Sequence, residues 1–488
     1  KKRFFMASSS AVNTTPSGST LIDGMLGGTN WSDGTPGTTT IEVYIGGIAG
    51  AEAMTVTGTT ATTGPEEAAA FRLALQLIEN VCNIDFVEVF DQPSANIAMG
   101  AVSNADAPGS LGWADYPGTV SSTQTGFVIN YDAYVTNDYS SLQIGGYDFV
   151  SYIHELGHTL GLKHPHGSEG GAFQPFPGVT SAFGDYGDFN LNQGVYTMMS
   201  YNDGYQTGPL GPLSIDASPT HGWEATPMAL DIAALQYLYG ANMSYNTGDD
   251  VYVLRNANAA GAYYSCLWDA GGTDTIMAGG SSDCVIDLRD ARIEVGNGGG
   301  GFISAHDGIY GGFTIANGVF IENATGDAGS DLLIGNEIAN ALTGNDGNDD
   351  LFGLAGADTL LGGHGRDKLQ GGEGGDFLDG GRAADKFVYT SILESSGADC
   401  DMIRHYQHGK DVIRLAAIDA DTTTAGVDDA FTFIGSDPFS AAAGELRAFK
   451  SAGGLVTILT GDVDGDGAAD FRIKFAGDIA LDIGDFIL

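Results

Sequence analysis

The chain has 488 residues, with 19 Lys and Arg against 62 Asp and Glu, a formal net charge of −43, and 75 glycines beside 14 prolines. That length suffices for two or three domains with cores of their own. So acidic a surface excludes a nucleic-acid binder or a protein docked on anionic membranes, and it points to cations as ligands.

Glycine without a three-residue period excludes collagen, and no apolar run approaches the ~18 residues of a membrane span, so no membrane insertion is expected. The N-terminal KKRFFMASSS is basic, but its apolar stretch, Phe4 to Met6, is too short for a secretory core, so no removable leader is expected in it. Pro65, Glu66 and Glu67 open a helix that AAAFRLALQLIENV continues, because Pro suits the first helical position and acids suit the positive end of the dipole. NIDFVEVF then reads as a strand, and VSYIHELGHTLGL as a second helix ending near Gly161. Cys82, Cys266, Cys284 and Cys400 form no CxxC pair and read as buried, unpaired thiols. The 18-residue interval between Cys266 and Cys284 leaves a disulfide open.

Inside the second helix, residues 154 to 164 read HELGHTLGLKH. His154 and His158 stand at i and i+4, so their imidazoles converge on one metal, with Glu155 beside them as a carboxylate that is not a ligand. Gly161 breaks the helix and lets the chain return His164 as a third ligand, leaving a fourth tetrahedral position for water. This is the metzincin pattern, and Met199 in YTMMSYND supplies the Met-turn it requires. Zinc is therefore the expected metal, with Glu155 as general base.

Texture changes after residue 245: 14 aspartates precede it and 33 follow. From Gly326 a nine-residue period holds through GDAGSDLLI, GNEIANALT, GNDGNDDLF, GLAGADTLL, GGHGRDKLQ and GGEGGDFLD, with a seventh unit opening at Gly380. Such a period means stacked solenoid turns, each a Gly-rich turn and a short strand, with the eighth residue (Leu333, Leu342, Leu351, Leu360, Leu369, Leu378, Phe387) pointing inward. The sixth position carries Asp331, Asn340, Asp349, Asp358, Asp367, Asp376 and Asp385. Stacked carboxylates repel unless a cation sits between them, and oxygens from these aspartates, from Asp346, and from the carbonyls of Gly344, Gly353, Gly362 and Gly371 favour Ca²⁺. Glycine here permits φ > 0 and lets carbonyls approach the ion. Further on, Asp462, Asp464, Asp466 and Gly467 resemble the start of an EF-hand, but Ile473 stands where its closing Glu belongs, and the segment reads as an acidic turn.

Taken together, HELGHTLGLKHP, the MSY at 199–201, WDAGGTDTI, GVFIENATGDAGSD and the final DFIL resemble the serralysins, secreted bacterial metzincin endopeptidases with a calcium-binding β-roll. LIDGMLGGTNW and DIAALQYLYGAN resemble that family's N-terminal segment and the helix leaving its catalytic domain.

The resemblance implies an N-terminal segment (1–20), an α+β metzincin catalytic domain (21–244) and an all-β parallel β-roll (245–488) with a tail serving type I secretion. It implies a zinc-binding Tyr201 that swings away from the metal to stabilise the oxyanion. It also implies an early calcium site of Asn246, Gly248, Asp250, Asp269, Gly271, Asp274 and Glu322, and an edge strand in GSLGWADYPG that pairs with extended substrates. A secreted monomer of broad specificity toward proteins follows from the same resemblance. Ile338, Asn340 and Ala383 depart from the repeat pattern. On the repeats alone, a non-catalytic calcium-dependent adhesin remains the competing reading.

Overall fold

A computed structural model describes residues 9–34, 36–168, 172–397, 399–424 and 428–488. Most of the basic N-terminal stretch, Lys1 to Ser8, lies outside them. The chain opens with an antiparallel pair, β1 (Ser10–Asn13) and β2 (Thr29–Ser32), enclosing the short helix α1 (Thr20–Met25). A twisted sheet follows, built from β3 (Thr39–Ile45), the hairpin β4 (Glu52–Met54) and β5 (Thr59–Ala61), β6 (Ile84–Glu88), β7 (Ile97–Val102), β8 (Gly112–Ala114) and β9 (Thr125–Asn130). The strands β6, β3, β7 and β9 run parallel, and β8 closes the edge antiparallel to β9. Every residue of β7 and β9 is buried, which explains their continuous apolar runs.

Helix α2 (Pro65–Val81) begins at the proline read from the sequence, and α3 (Tyr147–Thr159) packs against it, β8 and β9. Phe71 of α2 knits the layers together, with its ring 5.4 Å from Phe127 of β9 and 4.7 Å from Tyr152 of α3. A fourth helix, α4 (Ala229–Tyr239), packs on α1 and α2.

Beyond residue 250 the strands fall alternately into two sheets. Leu342, Leu360, Leu378 and Ile403 pair in one, and Leu333, Leu351, Leu369, Phe387 and Ile413 in the other. All of these side chains are fully buried, and each contributes about 1.5–3 kcal/mol by leaving water. The stacking starts before the visible repeats, because Thr275–Met277 and Cys284–Asp287 already pair with Asn323–Thr325 and Leu332–Ile334. Antiparallel strands Glu445–Lys450, Val456–Asp462 and Phe471–Ala476 extend one sheet, and the tail strand Phe486–Ile487 joins the other beside Val412–Arg414.

One expectation is refined, and the disulfide left open is settled. The glycines opening each repeat do not have positive φ; that conformation falls on the second and fourth positions, such as Gly372 (+102°) and Gly374 (+142°). All four cysteines are buried and unpaired, so Cys266 and Cys284 form no disulfide.

Candidate functional site

Helix α3 places His154 and His158 one turn apart, and both rings are anchored by backbone. His154 Nδ1 lies 2.8 Å from the Met198 carbonyl, and His158 Nδ1 2.8 Å from the Leu162 carbonyl. A carbonyl only accepts, so both Nδ1 atoms carry the proton and both Nε2 atoms present lone pairs. His164 Nε2 stands 3.0 Å from each of them. One proton on His164 can satisfy only one of these contacts, so without a cation at least one pair of acceptors is opposed. The spacing is close to the ~3.3 Å edge of a tetrahedron with ~2.0 Å Zn–N bonds, so the residues fit zinc. Burial pushes His154 down to about 4 and His158 to about 3, and burial followed by the neighbouring rings lowers His164 as well. All three are therefore neutral, the form that ligates metal.

The return of His164 depends on Gly161, whose φ is +101° and where a Cβ would collide with the Thr29 carbonyl. Residues 25–31 brace this reversal. Gly27 N–H donates to the Gly161 carbonyl at 2.7 Å, Lys163 N–H to Met25 at 2.8 Å, and the Trp31 indole to Thr159 at 2.7 Å. Met199 is fully buried beneath α3, and a Cβ on Gly157 would sit only 2.7 Å from its sulfur.

Glu155 faces a cavity of about 310 Å³ lined by Leu111, Gly112, Tyr147, His154, Tyr201 and Asp203 among others, and burial pushes its carboxyl up to about 8. Tyr201 is 37% exposed, with its ring 4.5 Å from His164 and 5.1 Å from Phe183. Strand β8 lies across the same cavity and pairs only with β9 among the described residues, so its outer edge is open beside Glu155.

In the repeats, the sixth-position carboxylates stack in two columns. Asp349 Oδ1 accepts from Asp331 N–H at 2.8 Å, Asp367 from Asp349, and Asp385 from Asp367; a parallel set runs from Asn340 through Asp358 to Asp376. The second oxygens of Asp349, Asp358, Asp367, Asp376 and Asp385 are buried without a hydrogen-bond partner. Burial, more than any other cause, pushes Asp349, Asp358 and Asp385 up to about 7 and Asp367 and Asp376 to about 6. A Cβ on Gly344, Gly353 or Gly362 would crowd both the repeat's own Oδ2 and the carbonyl two repeats on, while one on Gly371 would meet Asp376 Oδ2. Orphaned carboxylate oxygens and glycine carbonyls thus face one cradle whose all-oxygen chemistry fits calcium.

Two expected ligands, and the Asn340 that departs from the pattern, stand apart. Asp346 occupies the third position, which points outward; its side chain is 64% exposed and pairs with His364 at 2.7 Å. Asp331 has both oxygens engaged, by Cys284 N–H and Asp327 N–H. Asn340 accepts from Asn336 N–H and donates its amide to Asn336 and Glu322.

The early cluster does assemble: carboxylate oxygens of Asp250, Asp269 and Asp274 lie within 4.8 Å of one another. Asn246 reaches Asp269 through the Tyr252 hydroxyl, Gly248 faces Gly272, Gly271 N–H donates to Asp269, and Glu322 accepts from Asp274 N–H at 2.7 Å. Asp462, Asp464 and Asp470 also converge, but both Asp462 oxygens accept from Gly465 and Gly467 N–H, as an acidic turn does.

A family model for the C-terminal region of peptidase M10 serralysins matches residues 229–488. A serralysin of Photorhabdus luminescens is 33% identical over 436 residues, spanning 87% of this chain and 79% of its own length. The metallopeptidase AprA of Pseudomonas marginalis is 33% identical over 431 residues, 85% of this chain and 79% of its own. The chain belongs to the serralysin family. It spans about half, 53%, of another relative, the serralysin of Photorhabdus laumondii, at 32% identity over 286 residues. Among solved structures, the AlgE6R3 subunit of an Azotobacter vinelandii mannuronan C5-epimerase covers 33% of this chain and 78% of its own at 24% identity; its TM-score of 0.18 carries no weight for the fold.

Within this member of the family, several supporting residues escape the motif. Asp231, third residue of α4, accepts from Thr197 Oγ1 at 2.6 Å, Met198 N–H at 2.7 Å and Met228 N–H at 2.9 Å, tying the Met199 turn to that helix. An acid in the first turn of a helix was the available signal. Lys163 is fully buried, with its ammonium donating to the Gly24 and Gly167 carbonyls beside His164. Asp401 and Asp411 continue the two carboxylate columns beyond the repeats, accepting from Asp376 and Asp385 N–H at 3.0 Å.

Proposed function

We propose that this chain is a secreted zinc endopeptidase that hydrolyses peptide bonds of extracellular proteins, with a catalytic domain over 21–244 and a calcium-binding β-roll over 245–488. The observation that carries the reading is the meeting of three neutral imidazoles, two of them with Nδ1 committed to backbone carbonyls, whose Nε2 atoms face one point. His154, His158 and His164 would hold zinc, which when bound would supply Lewis acidity toward the scissile carbonyl and the attacking water. Glu155 would take the proton of the attacking water and return it to the leaving amine. Tyr201, at the edge of the cluster, donates its hydroxyl to the developing oxyanion. The open edge of β8 pairs with an extended peptide through main-chain hydrogen bonds, which tolerates many side chains and supports broad specificity.

Calcium bound between the carboxylate columns folds the C-terminal half outside the cell, after a monomeric chain has left through type I export machinery. The test of the chemistry is Glu155→Gln, which keeps the shape and removes the base. Casein cleavage should fall by about 10²–10⁴-fold with zinc content unchanged, and cleavage at the unaltered rate overturns the assignment. A zinc chelator should abolish cleavage in a zymogram of the unaltered chain.

A further inference from the structure

The cavity beside Glu155 combines apolar walls with a second acid. Leu111, Val150 and the rings of Tyr147 and Phe183 line it, and so does Asp203, while no Lys or Arg among the described residues does.

Asp203 does not stand alone. Its carboxyl meets that of Glu224, which is fully buried, and the Tyr147 hydroxyl donates to Asp203 from the first turn of α3. The backbone on either side of Asp203 is pinned: Gly194 N–H donates to the Asn202 carbonyl at 2.8 Å, Val195 N–H to the Gly204 carbonyl at 3.0 Å, and Gly204 N–H to Glu224 Oε2 at 2.8 Å. A carboxyl held in this way is organised before any ligand arrives.

Two carboxyl groups in contact cannot both ionise, so they hold one proton between them and keep one negative charge. Burial, more than the charge of its neighbour, raises Glu224 far above the usual carboxylate range, which places the proton there and the charge on Asp203. A buried carboxylate that serves only the fold takes its donors from the fold, as Asp231 does from Thr197, Met198 and Met228. This pair is not so provided, because Glu224 Oε1 is buried without a hydrogen-bond partner. An under-compensated charge at the wall of an apolar cavity is complementary to a side chain with a long methylene stem and a cationic head.

We propose that Asp203, positioned by Glu224 and Tyr147, selects substrates with Lys or Arg beside the scissile bond, the apolar walls taking the stem and Asp203 the head. The inference rests on the peptidase reading and deepens it: main-chain pairing along β8 admits many sequences, and this cavity ranks them.

The test starts from a casein bond that the chain cleaves, located by mass spectrometry. Internally quenched peptides of that sequence carry Arg, Lys, Met or Glu at each of the two positions flanking the bond. At one of these positions the unaltered chain should cleave the Arg and Lys peptides with kcat/KM at least about tenfold above the Met peptide, which is unbranched but uncharged, and the Glu peptide should rank last. Asp203→Asn keeps the shape and removes the charge, and should lower the Arg-to-Met ratio at least about tenfold. A ratio of two substrates on one sample cancels any loss of folded or zinc-loaded protein. Equal kcat/KM for Arg and Met in the unaltered chain overturns the proposal without recourse to a variant, and an unchanged ratio in Asp203→Asn overturns it equally. A chain that cleaves no casein bond sinks the peptidase reading and this inference with it, whereas cleavage without a basic preference sinks the inference alone.

Discussion

Gly161 decides whether three histidines become one site. At φ +101° it occupies a conformation that costs an L-residue about 1–2 kcal/mol, and the Thr29 carbonyl fills the space where a Cβ would go. Gly161→Ala should therefore displace the reversal and with it His164, while His154 and His158 stay on their helix. The expected outcome is zinc affinity weakened by at least about tenfold, since 1.4 kcal/mol is a factor of ten, read by competition with a chromophoric chelator; unchanged affinity would refute this role. The histidines themselves were legible because i, i+4 spacing puts two rings on one face whatever the rest of the chain does. Asp231 was not, because it holds Thr197 and Met198 across 34 and 33 residues, and nothing local marks a helix-capping acid as the support of a distant turn.

At the scale of the repeat, each turn from Gly344 onward holds two residues in the left-handed region, and glycine does not always supply them. Asn345 (+80°), Leu354 (+79°) and Ala383 (+84°) hold positive φ at positions where Gly363, Gly372, Gly374 and Gly381 do so without a Cβ. Of these, Ala383 loses least when its side chain is removed. Ala383→Gly should raise stability by about 0.5–1 kcal/mol, the left-handed penalty less the added entropy of an unfolded glycine. The readout is the urea midpoint in calcium buffer, and a lowered midpoint would count against the strain. The nine-residue period announced the strands and the buried leucines, since both follow from counting. It did not reveal that partners stand 18 residues apart in two columns, nor that Asp401 and Asp411 extend them, because the last steps lengthen to 25 and 26 residues.

Over the whole molecule, a net charge of −43 has to be reconciled with a compact stack. Five buried sixth-position carboxylate oxygens in the repeats lack any hydrogen-bond donor, and a sixth, on Asp401, continues the row. The stack is also joined to the rest of the chain. Ala225 N–H donates to the Tyr264 carbonyl at 2.8 Å, the Trp268 indole to Asn242 at 2.9 Å, and Ser19 Oγ to Ile293 at 3.4 Å. The tail is locked in as well, with Asp485 buried and accepting from His408 at 3.0 Å and Tyr406 at 3.2 Å. Removing calcium should therefore loosen the repeats first, release the tail, and then lower the stability of the part that carries the histidines. Each site saturated at 100 times its dissociation constant contributes about 2.7 kcal/mol, so loss of even two is comparable to the ~5–15 kcal/mol that holds a domain folded. Circular dichroism of the full chain in a calcium chelator should show diminished strand signal and a lower melting temperature, both restored by millimolar calcium. Casein cleavage should follow the same recovery. A chelated chain with unaltered spectrum and melting temperature would mean that the carboxylate columns hold together on protons and hydrogen bonds alone, and the coupling between export and folding would have no physical basis.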